Sequence, residues 1–251
     1  MSLDLDFAAA QTELADYDGR SHYSRPYVQS RVKRKAVTFE SPKPKLGAFE
    51  AGAIRVFDVV SATLLLVALL PFLVLLAIAL QIDSPGRLFF VQKRVGAGGK
   101  MFPCLKFRTM VENADEVFAA RMAHCAESRE EWARDFKLRD DPRVTRLGKA
   151  VRRLSLDEFP QLLNIIWGHM SVVGPRPIIR AEIERYGRFF PSYCAVKPGL
   201  TGLWQVSGRN DVSYHERVML DVHYVQTKSL FTDLGIVIRT IPAVVSAQGS
   251  Y

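Results

Sequence analysis

The sequence is poor in the residues that hold small or metal-dependent proteins together. Its 251 residues include three cysteines, Cys104, Cys125 and Cys194, far apart and with no C-x-x-C spacing, so they suggest neither a disulfide framework nor a zinc site. A reducing cytoplasm suits such a chain. The five histidines are scattered. His215 and His223 could share a helix face, but no carboxylate or thiolate stands at ligand spacing, and no metal is assigned to them. Nucleotide fingerprints are missing too. In Gly96-Ala97-Gly98-Gly99-Lys100, Met101 stands where a third glycine would be needed and no Ser or Thr follows the lysine, so these glycines read as turn residues. A secretory leader is also absent, because the first long apolar run begins only after Ile54 and carries no cleavage-site pattern; the protein is expected to stay inside. Residues 1–50, acidic at first and then basic, show no apolar period and read as a disordered arm.

What is present begins with charge. A formal net charge of +8 attracts anions, whether nucleic acid, anionic lipid or a phosphorylated substrate, and cannot choose among them. From Val59 to Leu80 run 22 residues whose only polar members are Ser61 and Thr63, about 33 Å of helix, the length of a membrane segment. Pro71 sits at its middle and tends to kink it. Both flanks are basic: Arg31 to Lys35, Lys43, Lys45 and Arg55 before, Arg87, Lys93, Arg94, Lys100, Lys106 and Arg108 after. The positive-inside rule places both flanks in the cytoplasm, which a helix re-entering its own face allows; a Pro-kinked spanning helix is the competing reading, and both stay open here.

Beyond the turn Asp83-Ser84-Pro85-Gly86, the stretches Leu88–Gln92 and Met101–Phe107 flank the glycines and predict a β-hairpin. Thr109 is positioned to cap one long charged helix over roughly 111–137, with Val117, Met122 and Trp132 as its apolar stripe. Residues 134–153 hold eight basic side chains against three acidic ones. Ser155-Leu156-Asp157-Glu158 then fits a capping box before the apolar run Leu162, Leu163, Ile165, Ile166 and Trp167. Pro160 leaves the register open, since a helix started at Ser155 would lose a bond there and one started nearer Asp157 would not. First-turn acids commonly serve the helix dipole alone. Here Arg152 and Arg153 lie just upstream, and Gly174-Pro175-Arg176-Pro177 holds Arg176 on a stiff backbone downstream. Arginine forks suit phosphate oxygens, and an aspartate among cations can serve as a phosphorus nucleophile or a Mg²⁺ ligand.

These segments resemble a known family. Asp83-Ser84-Pro85-Gly86, Phe89 to Gly96, Lys106-Phe107-Arg108-Thr109-Met110, Ser155 to Asn164 and Gly174-Pro175-Arg176-Pro177 are similar to the bacterial sugar transferases, the monotopic phosphoglycosyl transferases. Lys197 to Arg209 extends the resemblance to members that start exopolysaccharide synthesis, over about residues 52–251. The resemblance implies a ping-pong reaction in which Asp157 attacks the β-phosphorus of a UDP-hexose, galactose or glucose, and expels UMP. Undecaprenyl phosphate then takes the sugar phosphate from the covalent aspartyl intermediate. It implies Mg²⁺ at Asp157 and Glu158, with Glu158 supporting metal or proton transfer. By motif position, Arg152, Arg176, Lys106, Arg108 and Arg209 become phosphate ligands, and the membrane segment a re-entrant helix kinked at Pro71, although Leu70 stands where many members have serine.

The fold expected is mainly α with a small β-hairpin: a monotopic membrane protein with a disordered arm (1–50), a re-entrant membrane helix (51–82) and a cytoplasmic catalytic domain (83–251). Ser213–Thr227 and Leu230–Val245 read as helices, the latter with Leu230, Phe231, Leu234, Ile238 and Ile241 on an apolar face that suits either the bilayer interface or the domain core. The expected partners are a UDP-sugar, undecaprenyl phosphate and inner-membrane lipids at the cytoplasmic face. Nucleic acid is not among them, since the cations flank carboxylates and a membrane helix rather than exposed aromatics. Oligomeric state is left open, a homo-oligomer included.

Overall fold

A computed structural model describes residue 44 and residues 46–135, 138–207 and 212–245 of the chain. The expected disordered arm thus lies almost entirely outside the described residues, as does Arg209. The order is α1 (Ala48–Asp83), β1 (Phe89–Val95), β2 (Met101–Phe107), α2 (Ala114–His124), α3 (Ala126–Asp135), α4 (Arg146–Arg153), α5 (Gln161–Ile166), β3 (Ser171–Val173), α6 (Ile183–Tyr186), α7 (Phe190–Cys194), β4 (Gly199–Thr201), α8 (Leu203–Val206), α9 (Tyr214–Thr227) and α10 (Leu230–Val245). The described chain is mostly helical, with β1 and β2 antiparallel from Phe89↔Phe107 to Val95↔Met101, and β3 parallel to β4.

Helix α1 is long and apolar enough to cross a membrane. Its helical assignment runs unbroken through Pro71. One side of it belongs to the domain core. Ala62 packs with Phe102, Cys104, Leu162, Ile165 and Met170, while Leu73, Leu76 and Leu80 pack with Phe107 and Val151. Residues on both sides of Pro71 therefore rest on the same domain, each buried leucine contributing about 1.5–3 kcal/mol. The other side, with Val56, Val60, Leu64, Val67, Leu70, Leu75 and Ile78, is exposed. Asp58 fixes the helix in rotation: it is buried and accepts hydrogen bonds from Ser171 Oγ (2.9 and 2.8 Å) and Val172 N (2.8 Å).

Helix α1 ends at the predicted turn, where Gly86 adopts φ +130° and Arg108 donates to the carbonyls of Ser84 and Pro85. The hairpin is longer than the sequence suggests, β1 reaching Val95. Two expectations change in the charged stretch. The single helix over 111–137 is two helices broken at Cys125, with Arg121 Nε donating to Ser128 Oγ across the break. Thr109 caps nothing; it is buried, its Oγ1 accepts from Arg152 Nε (2.7 Å), and its carbonyl accepts from Thr145 N. In α10 the apolar face is turned outward: Phe231, Ile238 and Ile241 are exposed, while Asp233 and Ile236 point inward.

Candidate active site

The acidic pair sits on a 3-10 turn, Leu156–Glu158, between α4 and α5. The capping box is not formed. Ser155 has φ 56° and ψ 22°, and its side chain caps nothing. Its backbone N–H closes on Arg152 O, reversing the chain out of α4. This left-handed residue, the sole non-glycine one with positive φ among the described residues, carries a strain cost of about 1–3 kcal/mol. It sets Asp157 and Glu158 ahead of α5, so that Pro160 stands at the helix start, where its missing N–H costs nothing.

Lys106, on β2, reaches both acids: its Nζ lies 2.6 Å from Glu158 Oε1 and 3.6 Å from Asp157 Oδ2. Asn164 ties the acid-bearing segment to that strand. Buried on α5, it accepts from Leu105 N (3.0 Å) and donates to Pro103 O (2.7 Å), stitching the helix to the strand beside Lys106. Burial opposes the charged form of Glu158, but Lys106, Arg176 and Arg94 outweigh it and hold the carboxyl well below the usual carboxylate range. Asp157 goes the other way: burial raises it and the Glu158 charge adds to that, while Lys106 and Arg152 oppose. One acid of the pair is thus firmly ionised and the other is a more basic carboxylate, a division of roles set by environment.

Of the expected phosphate ligands, Lys106 and Arg176 line one cleft with Glu158, Gln161, Gly199 and Gln205. Asp157 is not part of that wall; it shares Lys106 with Glu158 and feels the Arg152 charge. Arg108 is not brought to the site. Strand β2 ends at Phe107, so Arg108 turns away to the exit of α1. Sequence reasoning passed over Arg94, which lines the same cleft, donates to Pro177 O (3.0 Å) and Gln92 Oε1 (2.7 Å), and lies 3.8 Å from Glu182. The hairpin register would have found it: Arg94 pairs with Phe102 and Phe90 with Lys106, which places Arg94 and Lys106 on one face.

No group of three His, Cys, Asp or Glu able to hold a metal is found among the described residues. Two adjacent carboxylates nevertheless suit Mg²⁺, which commonly takes one or two protein carboxylates and completes its shell with substrate phosphate oxygens and water. Asp157 and Glu158 are the residues that would hold it, with Lys106 competing for the Glu158 oxygen.

Residues 49–247 match the model of the family described as "Bacterial sugar transferase". The chain is 50% identical over 226 residues to "Exopolysaccharide production protein ExoY" of Sinorhizobium fredii, covering 89% of this chain and all of that protein. It is 45% identical over 197 residues to "Undecaprenyl-phosphate galactose phosphotransferase" of Salmonella typhimurium, covering 78% of this chain and 41% of that one. It is 42% identical over 205 residues to "UDP-glucose:undecaprenyl-phosphate glucose-1-phosphate transferase" of Caulobacter vibrioides, covering 78% and 71%. With its family match spanning α1, the hairpin, the acidic pair and both terminal helices, the chain belongs to the bacterial sugar transferase family.

Proposed function

We propose that the protein is a phosphoglycosyl transferase that moves hexose 1-phosphate from a UDP-sugar to undecaprenyl phosphate, the first step of an exopolysaccharide pathway. The observation that carries this is a buried aspartate joined to a glutamate by one lysine, amid more cations than the two acids neutralise: Lys106, Arg152, Arg176 and Arg94 surround Asp157 and Glu158. A site of that composition favours a diphosphate. The printed names of the Salmonella and Caulobacter relatives fit a galactose or glucose donor and the lipid carrier.

In this mechanism an Asp157 carboxylate oxygen bonds the β-phosphorus, the bond from that phosphorus to the bridging oxygen breaks, and UMP leaves with the electron pair. The desolvation that raises Asp157 makes it the better nucleophile of the two acids. Arg94 and Arg176 hold phosphate oxygens from the cleft side, and Lys106 follows the charge as it moves. A phosphate oxygen of undecaprenyl phosphate then attacks the same phosphorus, freeing the Asp157 carboxylate and giving the undecaprenyl diphosphohexose. Glu158, held ionised by Lys106, orients that lysine. Mg²⁺, when bound at the pair, would neutralise charge on the transferring phosphoryl group.

Helix α1 supports a monotopic placement at the cytoplasmic face. Its two halves rest on one domain, which suits a segment that enters and leaves the same leaflet, and the basic flanks agree. The acceptor's phosphate lies at headgroup depth while the nucleotide sugar arrives from water, so a site against α1 serves both.

The test is UMP release by detergent-purified protein given UDP-galactose or UDP-glucose, Mg²⁺ and undecaprenyl phosphate, beside Asp157→Asn. Release by the wild type, its loss in the variant, and a radiolabelled phosphosugar retained on the wild-type chain alone are the expected results. A folded wild type that releases no UMP from either sugar overturns the reading.

A further inference from the structure

Two carboxamides on the wall of the cleft lack a full set of partners. Gln161, the first residue of α5 and close behind Glu158 in the chain, lines the cleft and is 2% exposed. Its side chain makes no hydrogen bond among the described residues, and the little area it exposes includes both amide atoms. A polar group so nearly buried ordinarily has a partner. Gln205, on α8, lines the same cleft. Its Nε2 donates to Leu200 O (3.2 Å), which fixes the orientation of the amide, and the Oε1 left over is enclosed and accepts nothing.

The chemistry of the cleft says what would complete them. Arg94, Lys106 and Arg176 line it and suit phosphate oxygens, and a neutral amide adds no charge to theirs. An amide does match a hydroxyl, since each can both donate and accept. When Asp157 bonds the β-phosphorus, the hexose hangs from that same phosphorus, whereas the uridine lies one phosphate farther off. The hydroxyls nearest a wall that holds Glu158 are therefore those of the hexose. A uracil ring would call for an aromatic face, and among the described residues none lines the cleft; Pro177 and Leu200 supply small apolar surfaces that suit the C–H face of a pyranose. Resting on the transferase reading, we propose that Gln161 is a specificity-determining residue of this cleft, its amide hydrogen-bonding a hydroxyl of the transferred hexose, with Gln205 bounding the same subsite.

The test is kcat/KM for UMP release by the full chain in detergent, with undecaprenyl phosphate and Mg²⁺. The donors are UDP-galactose, UDP-glucose and, for the faster of the two, its 2-, 3-, 4- and 6-deoxy analogues. Wild type should lose about ten-fold or more on the analogue lacking the hydroxyl that Gln161 holds, because the amide is then left unpaired. Gln161→Met should lose a similar factor on the parent sugar and use that analogue within about two-fold of the parent, the signature of a direct pair. A residue with a structural role alone would lower every donor by one factor, and that result overturns the proposal, as does a wild type indifferent to every deoxygenation. In both cases wild-type turnover of the parent sugar persists, whereas a wild type that turns over neither parent overturns the transferase reading and this proposal with it. If Gln161→Met is poorly folded by circular dichroism, Gln161→Asn, whose amide falls short by one methylene, decides on the same criterion.

Discussion

Lys106 Nζ stands 2.6 Å from Glu158 and 3.6 Å from Asp157, so one ammonium is shared unequally between two adjacent acids. The shorter contact keeps Glu158 ionised, and the longer leaves Asp157 less encumbered. Removing the lysine would leave two carboxylates facing each other in a mostly buried place. Lys106→Met is therefore expected to lower kcat for UMP release by about 10²–10³, the range for losing one electrostatic stabiliser of a developing charge. It should also raise the apparent pKa of the acid limb of the pH–rate profile, since Glu158 loses the neighbour that holds it down. A profile whose acid limb stays in place while kcat falls would assign Lys106 to phosphate contact alone.

Arg94, Arg176 and Arg108 form a contrast that kinetics can read. The first two line the cleft with Glu158, whereas Arg108 braces the carbonyls of Ser84 and Pro85 at the end of α1. Arg176→Gln and Arg94→Gln are expected to raise the KM for UDP-sugar about ten-fold or more, by loss of charge-assisted bonds to phosphate. Arg108→Gln should leave KM within two-fold and lower Tm, because hydrogen bonds to charged groups contribute about 1.5–3 kcal/mol to stability. A KM effect at Arg108 equal to that at Arg176 would return Arg108 to the site.

Asp221 lies 2% exposed on α9 and accepts from Tyr186 Oη at 2.7 Å. Burial pushes its carboxyl up to about 7, the tyrosine bond only partly opposing. A folded pKa above the unfolded value means that the native state holds the proton longer. The associated stability is complete below the ordinary value near 3.8 and is lost as pH rises through about 7, levelling off above it. Melting in detergent should show Tm falling between pH 5 and 7.5 in the wild type, with a flatter course in Asp221→Asn, whose amide oxygen can still accept from Tyr186. Identical slopes in the two proteins would locate the pH dependence elsewhere.

The elements with strong local signals were legible. The apolar run of α1, the hairpin about its glycines and the helices after Ser213 and Ser229 follow from periodicity, and the structure adds a capping box between Ser213 and Glu216, an S-x-x-E pattern. Ser155 has the same S-x-x-E pattern and makes none, because the chain must reverse out of α4 to bring the acids under Lys106. That requirement is tertiary and leaves no mark in a local pattern. Arg94 was passed over because a charged residue in an alternating strand resembles a solvated face; only the strand register shows that it shares a face with Lys106. Asn164 gives no local sign of its role, since its two bonds go to a strand some sixty residues earlier. The side chains of α10 pointed to an apolar stripe but not to its direction, which depends on Asp233 turning inward to Tyr224 and Lys228.

Asp58 offers a test of how α1 is held. It is the buried acid of that helix, and it accepts from the Ser171 hydroxyl and the Val172 amide on β3. The apolar contacts around Ala62 and Leu73 grip the helix without fixing its rotation, whereas these bonds specify one orientation. Asp58→Ala would leave the Val172 amide unpaired against an apolar neighbour, at a cost of about 1–3 kcal/mol for the orphaned donor, with the Ser171 bonds in addition. Tm should fall by several degrees. Asp58→Asn, which can still accept from Val172 N, should lose less than half as much. Because β3 leads directly into Gly174-Pro175-Arg176-Pro177, the alanine variant should also raise KM for UDP-sugar through a displaced Arg176, while Asp58→Asn should not. An alanine variant with full thermal stability would mean that apolar packing alone orients α1, and the polar contact would then be incidental.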